Sequence, residues 1–152
     1  MTAVAEQILA NVFAALQALT VGAAPVAIFR DRGYNVGIDT LPAISLDDGG
    51  DISTDDTRCF GVTFKTREIR VELRAAATDD DAVATAISAL YVRVAAIVLA
   101  DYSQGGVAID THDAGTTALI KVSDAGQEPI GAATATFHVD YQHVGGRPDL
   151  LS

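Results

Sequence analysis

The sequence predicts an α+β domain: a mainly antiparallel β-sheet with two α-helices packed on one face. Three observations predict it. Two stretches repeat apolar residues at helical spacing, runs with period-two alternation separate and follow them, and the order is helix, strands, helix, strands. The chain has 152 residues, of which 49% are apolar, enough for one real core. No internal repeat and no low-complexity linker divides it, so one domain spanning residues 1–152 is expected.

Residues 2–20 form the first predicted helix, with Val4, Ile8, Val12, Leu16 and Leu19 on one stripe and Leu9 and Phe13 beside it. An apolar arc this wide calls for cover on more than one side. Gly22 stops the helix and Pro25 follows. Residues 25–31 (PVAIFRD) and 41–46 (LPAISL) read as short strands, with Gly33, Asn35 and Gly37 marking the loop between them. Residues 47–58 (DDGGDISTDDTR) lack an apolar period and predict a mobile acidic loop.

Residues 59–77 read as one or two strands. Phe60, Val62 and Phe64 share one parity, whereas Ile69, Val71 and Leu73 share the other, so a bulge or bend is expected near Thr66–Glu68. Beyond it Glu68, Arg70, Glu72 and Arg74 form a row of alternating charge. That row suits complementary charges on a neighbouring strand, and it equally suits a solvated outer face. The run Thr78-Asp79-Asp80-Asp81 opens the second helix, capped by Thr78 or Asp79. Val83, Ile87, Leu90, Val94 and Ile97 or Val98 give its stripe, which ends near Asp101. Strands follow at about 107–112, 117–123 and 129–142, the last with Ala133, Ala135, Phe137, Val139 and Tyr141 on one parity. An irregular tail, 143–152, closes the chain.

Composition excludes several functions. The formal net charge is −10 and the only lysines are Lys65 and Lys121, so an electrostatic grip on nucleic acid is not expected. Aromatic residues supply no stacking platform for single strands. The apolar stretches Val4–Ala24 and Ala82–Ala100 both contain interior polar groups, and neither reads as a clean membrane span. Met1-Thr2-Ala3 lacks a basic leader, so a secretory signal is not expected. A single cysteine, Cys59, fits a reducing compartment and reads as an inert thiol.

No catalytic constellation stands out, and the expectation is a protein that is not an enzyme and takes no cofactor. There is no nucleophile elbow, zinc-protease helix, phosphate-binding loop or dinucleotide fingerprint. His138 and Asp140 share a strand face, but His143 has the opposite parity, so a metal centre lacks its third ligand. The acids of 47–58 miss the calcium-loop pattern: counting from Asp47, the sixth residue is Ile52 and the twelfth is Arg58.

The phrases nevertheless form a recognisable order. PVAIFRDR and LPAISLDDG follow the first helix, and a long strand ends in VELRAAATDDDA. The helix AVATAISALYVRVAAIVLAD comes next, then GGVAIDTHDAGT, and then PIGAATATFHVDYQ before a Gly-Gly-Arg-Pro-Asp turn. This layout resembles the tail terminator (minor tail, tail-completion) family of long-tailed, non-contractile bacteriophages, over almost the whole chain. The resemblance implies a structural virion protein, assembled in the host cytoplasm, that forms a hexameric ring on the head-proximal end of the tail tube. Its implied partners are copies of itself, the tail tube protein and the head–tail connector protein, with DNA passing through unbound and no membrane involved. Six chains of −10 carry about −60, which would keep DNA off a lumen wall. On this reading Arg30, Arg32, Arg67, Glu68, Arg70, Glu72 and Arg74 lie at subunit contacts, and Asp47, Asp48, Asp51, Asp55 and Asp56 line the lumen or face the tube. Another neck or head-completion protein shares the outline, and a stand-alone small-molecule or ion-binding module is the other reading.

Overall fold

In the computed structural model, residues 2–21, 24–31, 41–55, 61–122 and 128–151 are described. Helix α1 spans Val4–Leu16 and α2 spans Asp80–Ala100. The strands are β1 Thr20–Val21, β2 Ala24–Pro25, β3 Ala27–Arg30, β4 Ala43–Asp55, β5 Val62–Ala76, β6 Asp110–Thr116, β7 Ile120–Val122 and β8 Ile130–Val144. β1 and β2 make a small antiparallel ribbon; the other six form one mixed sheet in the order β3-β4-β5-β8-β6, with β7 also on β8. The architecture is α+β, as expected. All its pairings are antiparallel except β3 with β4, which is parallel.

Both helices cover the same face. Ile44 and Leu46 of β4, Ile69, Val71 and Leu73 of β5, and Ala133, Ala135, Phe137 and Val139 of β8 are buried with Val4, Ile8, Val12 and Leu16 of α1 and Val83, Ile87, Leu90, Val94 and Val98 of α2. The predicted stripes thus form the core, and Val98 is buried where Ile97 is half-buried. By length and composition α2 is apolar enough to cross a membrane, which its sequence had not suggested. It packs on β5, β8 and β6 through the stripe Val83, Ile87, Leu90, Val94 and Val98, and its other side, with Val92, is exposed.

Asp79 caps α2: its carboxylate accepts from the Ala82 N–H at 2.7 Å. Asp79→Ala is expected to cost about 1 kcal/mol and to lower Tm by about 3 °C, readable in a thermal melt. At the other end Gln104 closes the helix. Its buried side-chain amide donates to the Val98 carbonyl at 3.0 Å and to the Thr111 hydroxyl at 3.2 Å, while its main-chain carbonyl accepts from the Asn11 side-chain amide of α1 at 2.6 Å. A single residue therefore ties both helices to β6.

Four expectations need correction. The first helix stops at Leu16 and not at 20; Gln17 and Ala18 form a turn so that Leu19 can return to the core and β1 can begin. Gly22 and the loop residues Gly33, Asn35 and Gly37 lie outside the described residues.

The acidic segment from 47 to 55 is strand, not loop. It pairs with β5 from Asp47↔Arg70 to Asp55↔Phe64. Two bulges interrupt the register, between Asp48 and Gly50 and between Asp51 and Ser53, and the extra residues Gly49 and Ile52 scramble the period that would have marked a strand. Residues 56–58 lie outside the described residues.

The bulge expected near Thr66–Glu68 is therefore on β4, directly opposite those residues. β5 itself holds an unbroken register with β8 from Val62↔Val144 to Ala76↔Ile130. The apparent change of phase arises because Phe64 is on the solvent side, 41% exposed.

Finally, β8 runs on through His143 and Val144, so the tail begins at Gly145. There Leu150 accepts a hydrogen bond from the Val144 N–H at 2.9 Å, and Pro148 accepts one from the first N–H of α1 at 2.9 Å. The strands expected at about 107–112 and 117–123 sit at β6 and β7, because a turn occupies 102–107.

Candidate interaction surface on the open face of the sheet

The face turned away from the helices is polar. Residues opposed across a β-ladder point the same way, so the registers assign each side chain to a face. On the open face, β5 contributes Thr66, Glu68, Arg70, Glu72 and Arg74. β8 contributes Asp140, His138, Thr136, Thr134 and Ala132 directly opposite them. β4 adds Asp47 beside Arg70 and Ser45 beside Glu72. β6 adds Asp110 beside Asp140 and His112 beside His138, whose rings meet edge-on at 5.5 Å.

The charged row pairs along its own strand. Arg70 donates to Glu68 at 2.6 Å and Arg74 donates to Glu72. The expected partners on neighbouring strands are mostly neutral, Thr134 and Thr136 on one side and Ser45 on the other; Asp47 offers an opposite charge to Arg70, and His138, with Nε2 3.8 Å from the Glu68 carboxylate, offers one to Glu68 when protonated. Burial raises the Asp47 carboxyl above the ordinary range, and the negative charges of Asp31 and Glu72 add to this.

Arg67 belongs to the opposite face. It shares its parity with Ile69, and its guanidinium grips Asp48 and, at 2.9 Å, Asp51. Lys65 binds the same Asp51 at 2.8 Å, and the Tyr141 hydroxyl donates to it at 3.1 Å. Burial opposes ionisation of Asp51, but the hydrogen bonds from Lys65 and Arg67 outweigh it and hold the carboxyl below the usual range. Arg67 is likewise held above the ordinary arginine value against the cost of its burial. Burial, and then the charge of Asp51, pushes the Tyr141 hydroxyl up. This buttress extends the core beyond the helices with a compensated set of charges.

The predicted residues therefore separate. Glu68, Arg70, Glu72, Arg74 and Asp47 come together on the open face. Arg67, Asp48 and Asp51 are on the helix side, and Asp55 is paired opposite Phe64 near the end of β4. Arg30 is also on the helix side, where it donates to both oxygens of Glu6 in α1 at 2.8 and 2.7 Å. Arg32 and Asp56 lie outside the described residues. Lys65 and Tyr141 escaped sequence reasoning. Lys65 shares the parity of Arg67, but only the bulged register of β4 sets Asp51 opposite Arg67 and Thr54 opposite Lys65, from where the ammonium reaches back to Asp51.

His138 and Asp140 point to the open face while His143 is buried on the other. Among the described residues no group of three or more His, Cys, Asp or Glu is placed to hold a metal ion. On the helix side, a groove of about 330 Å³ runs between α2 and residues 116–119, floored by Leu73, Ile87 and Ala133 and edged by Ser88, Tyr91 and Thr117. The chain matches no family model, and no curated protein is significantly similar to it.

Proposed function

We propose that the chain is a non-enzymatic structural subunit that assembles with copies of itself into a ring at the head-proximal end of a phage tail, as a tail terminator. The observation that carries this reading is the presence of two unlike surfaces on one small domain. One is a polar sheet face with a central charged row. The other is the outward side of α2, built from small residues such as Ser88, Ala89 and Ala96 around Val92, which is 61% exposed. Ring closure joins one patch to a different patch on the neighbour, and unlike faces meet that need. The layout of the chain, with its resemblance to tail terminators, supplies the biological setting.

The charge distribution refines where DNA would pass. Asp48 and Asp51 are offset by Lys65 and Arg67, so they add little net field. A repelling lumen would draw instead on exposed acids such as Asp79, Asp80 and Asp81 at the start of α2.

Native mass spectrometry and electron microscopy of the chain mixed with tail tubes test the reading. Rings capping the tube ends support it; a chain that stays monomeric with tubes present overturns it. Arg70→Glu with Arg74→Glu is expected to weaken assembly at least about tenfold with an unchanged circular dichroism spectrum, since like charges then line the row. Unchanged assembly would remove the row from the interface.

The groove beside α2 favours a second reading, a small-molecule-binding module. Its volume is at the low end for ligand sites, and it combines an apolar floor with hydroxyl groups. A monomer that melts at a higher temperature only with a specific ligand would select this reading.

A further inference from the structure

We infer that the open face of the sheet pairs with the same face of a second copy of this chain, the two β5 strands antiparallel about a twofold axis. The inference rests on the arrangement of charge and not on the ring reading; a chain paired through this face cannot also offer it to a different patch in a ring, so the two contacts exclude each other on any one chain. Glu68, Arg70, Glu72 and Arg74 occupy successive outward positions of β5, at the middle of a face that neither helix covers. Read backwards, this row becomes its own complement. An antiparallel copy sets Glu68 over Arg74 of its mate and Arg70 over Glu72, and the axis repeats both pairs, giving four opposite-charge contacts. A parallel copy would stack every charge on its like, so only one orientation is allowed.

The flanking strands agree with that orientation. The axis places β8 over β8 and β4 over β4. Thr136, level with Arg70, then faces Thr134, which is level with Glu72, and His138 faces Ala132. Asp47 faces the position of Ser45 and meets no second acid. No like charges meet in any of these three rows. Access falls along the row: Arg70 is 53% exposed, Glu72 and Arg74 are 30% and 28% exposed, and Glu68 is 19% exposed, so its two contacts rely on Arg74 of the mate reaching in. Their pairs along the strand leave further guanidinium N–H groups and carboxylate lone pairs unused.

The matched patch is small. From 68 to 74 it spans about 20 Å along β5, and three strands span about 15 Å across. That size belongs to transient contacts, so the pair is expected to be weak and salt-sensitive.

Sedimentation velocity on the full chain at high concentration tests this, with circular dichroism to verify folding. Dimer is expected at about 0.01 M salt, and its Kd is expected to rise at least about tenfold at about 1 M, where the Debye length shrinks from about 30 Å to about 3 Å. R70E/R74E presents four acids and E68R/E72R four arginines. Each alone is expected to be monomeric, and an equimolar mixture should form a heterodimer. The full exchange E68R/R70E/E72R/R74E restores the self-complementary row, so it is expected to dimerise again. A contact to a different patch on the neighbour, as in a ring, would be abolished by that exchange, so the two modes are told apart. Monomeric wild type at low salt, an R70E/R74E variant that dimerises like the wild type, or a folded full exchange that stays monomeric overturns the inference.

Discussion

Arg67→Ala is expected to destabilise the chain by about 1–3 kcal/mol, since it removes the partner of the half-buried Asp48 and leaves Asp51 with Lys65 and Tyr141 alone. The Arg67 side chain is 18% exposed and those of Asp51 and Asp48 are 21% and 30% exposed, so water compensates only in part. A pH series of chemical denaturations supplies the diagnostic. The folded state holds Asp51 below its ordinary value, where the unfolded chain titrates at about 3.9. Its contribution is thus present in full above that value and is lost as pH falls through the lower folded value. The gap between wild type and variant should narrow below about pH 4; a gap constant down to pH 2 would mean that the loss is one of packing. Asp47 has the opposite sign. Its raised value makes the ionised form a cost to the folded state, present at neutral pH and relieved as pH falls through the raised value. Asp47→Asn is therefore expected to leave stability at pH 7 unchanged or higher.

Gly131→Val should cost about 2–3 kcal/mol, although valine is the better strand former. A Cβ on Gly131 would come within 2.3 Å of Val83 Cγ1 and 3.3 Å of Ile87 Cγ1, both buried on α2. The third neighbour is Leu119 Cδ1, at 3.1 Å, beside the groove. Relief requires the first turns of α2 to lift from the sheet. Gly131→Ala should show a smaller loss of about 1 kcal/mol. Chemical denaturation reads both, and hydrogen exchange should locate the loosening at Val83–Ile87 and not at Val94–Val98. Equal protection along α2 would show that the sheet yields instead of the helix.

The sequence alone determined the elements whose apolar period runs unbroken. The stripe of α2 needs only 3.6 residues per turn to place Val83, Ile87, Leu90 and Val94 on one side, and its cap at Asp79 is local chemistry. The alternation of β8 from Ala133 to Tyr141 likewise requires one sheet face to be dry. These local periods, with the order of elements, were enough for the α+β class and for two helices on one face.

Tertiary structure decided whatever depends on pairing. The acidic run 47–55 became strand because β5 offers it a partner ladder, and the bulges at Gly49 and Ile52 exist only relative to that partner. The same register divides the candidate interface: Glu68, Arg70, Glu72 and Arg74 face outward, while Arg67 turns inward to Asp48 and Asp51. Charge and spacing carry no information about which strand lies alongside, and a shift of one residue exchanges the two faces of a strand. That is why the charged row was legible in the sequence, while its division between an open face and a compensated buttress was not.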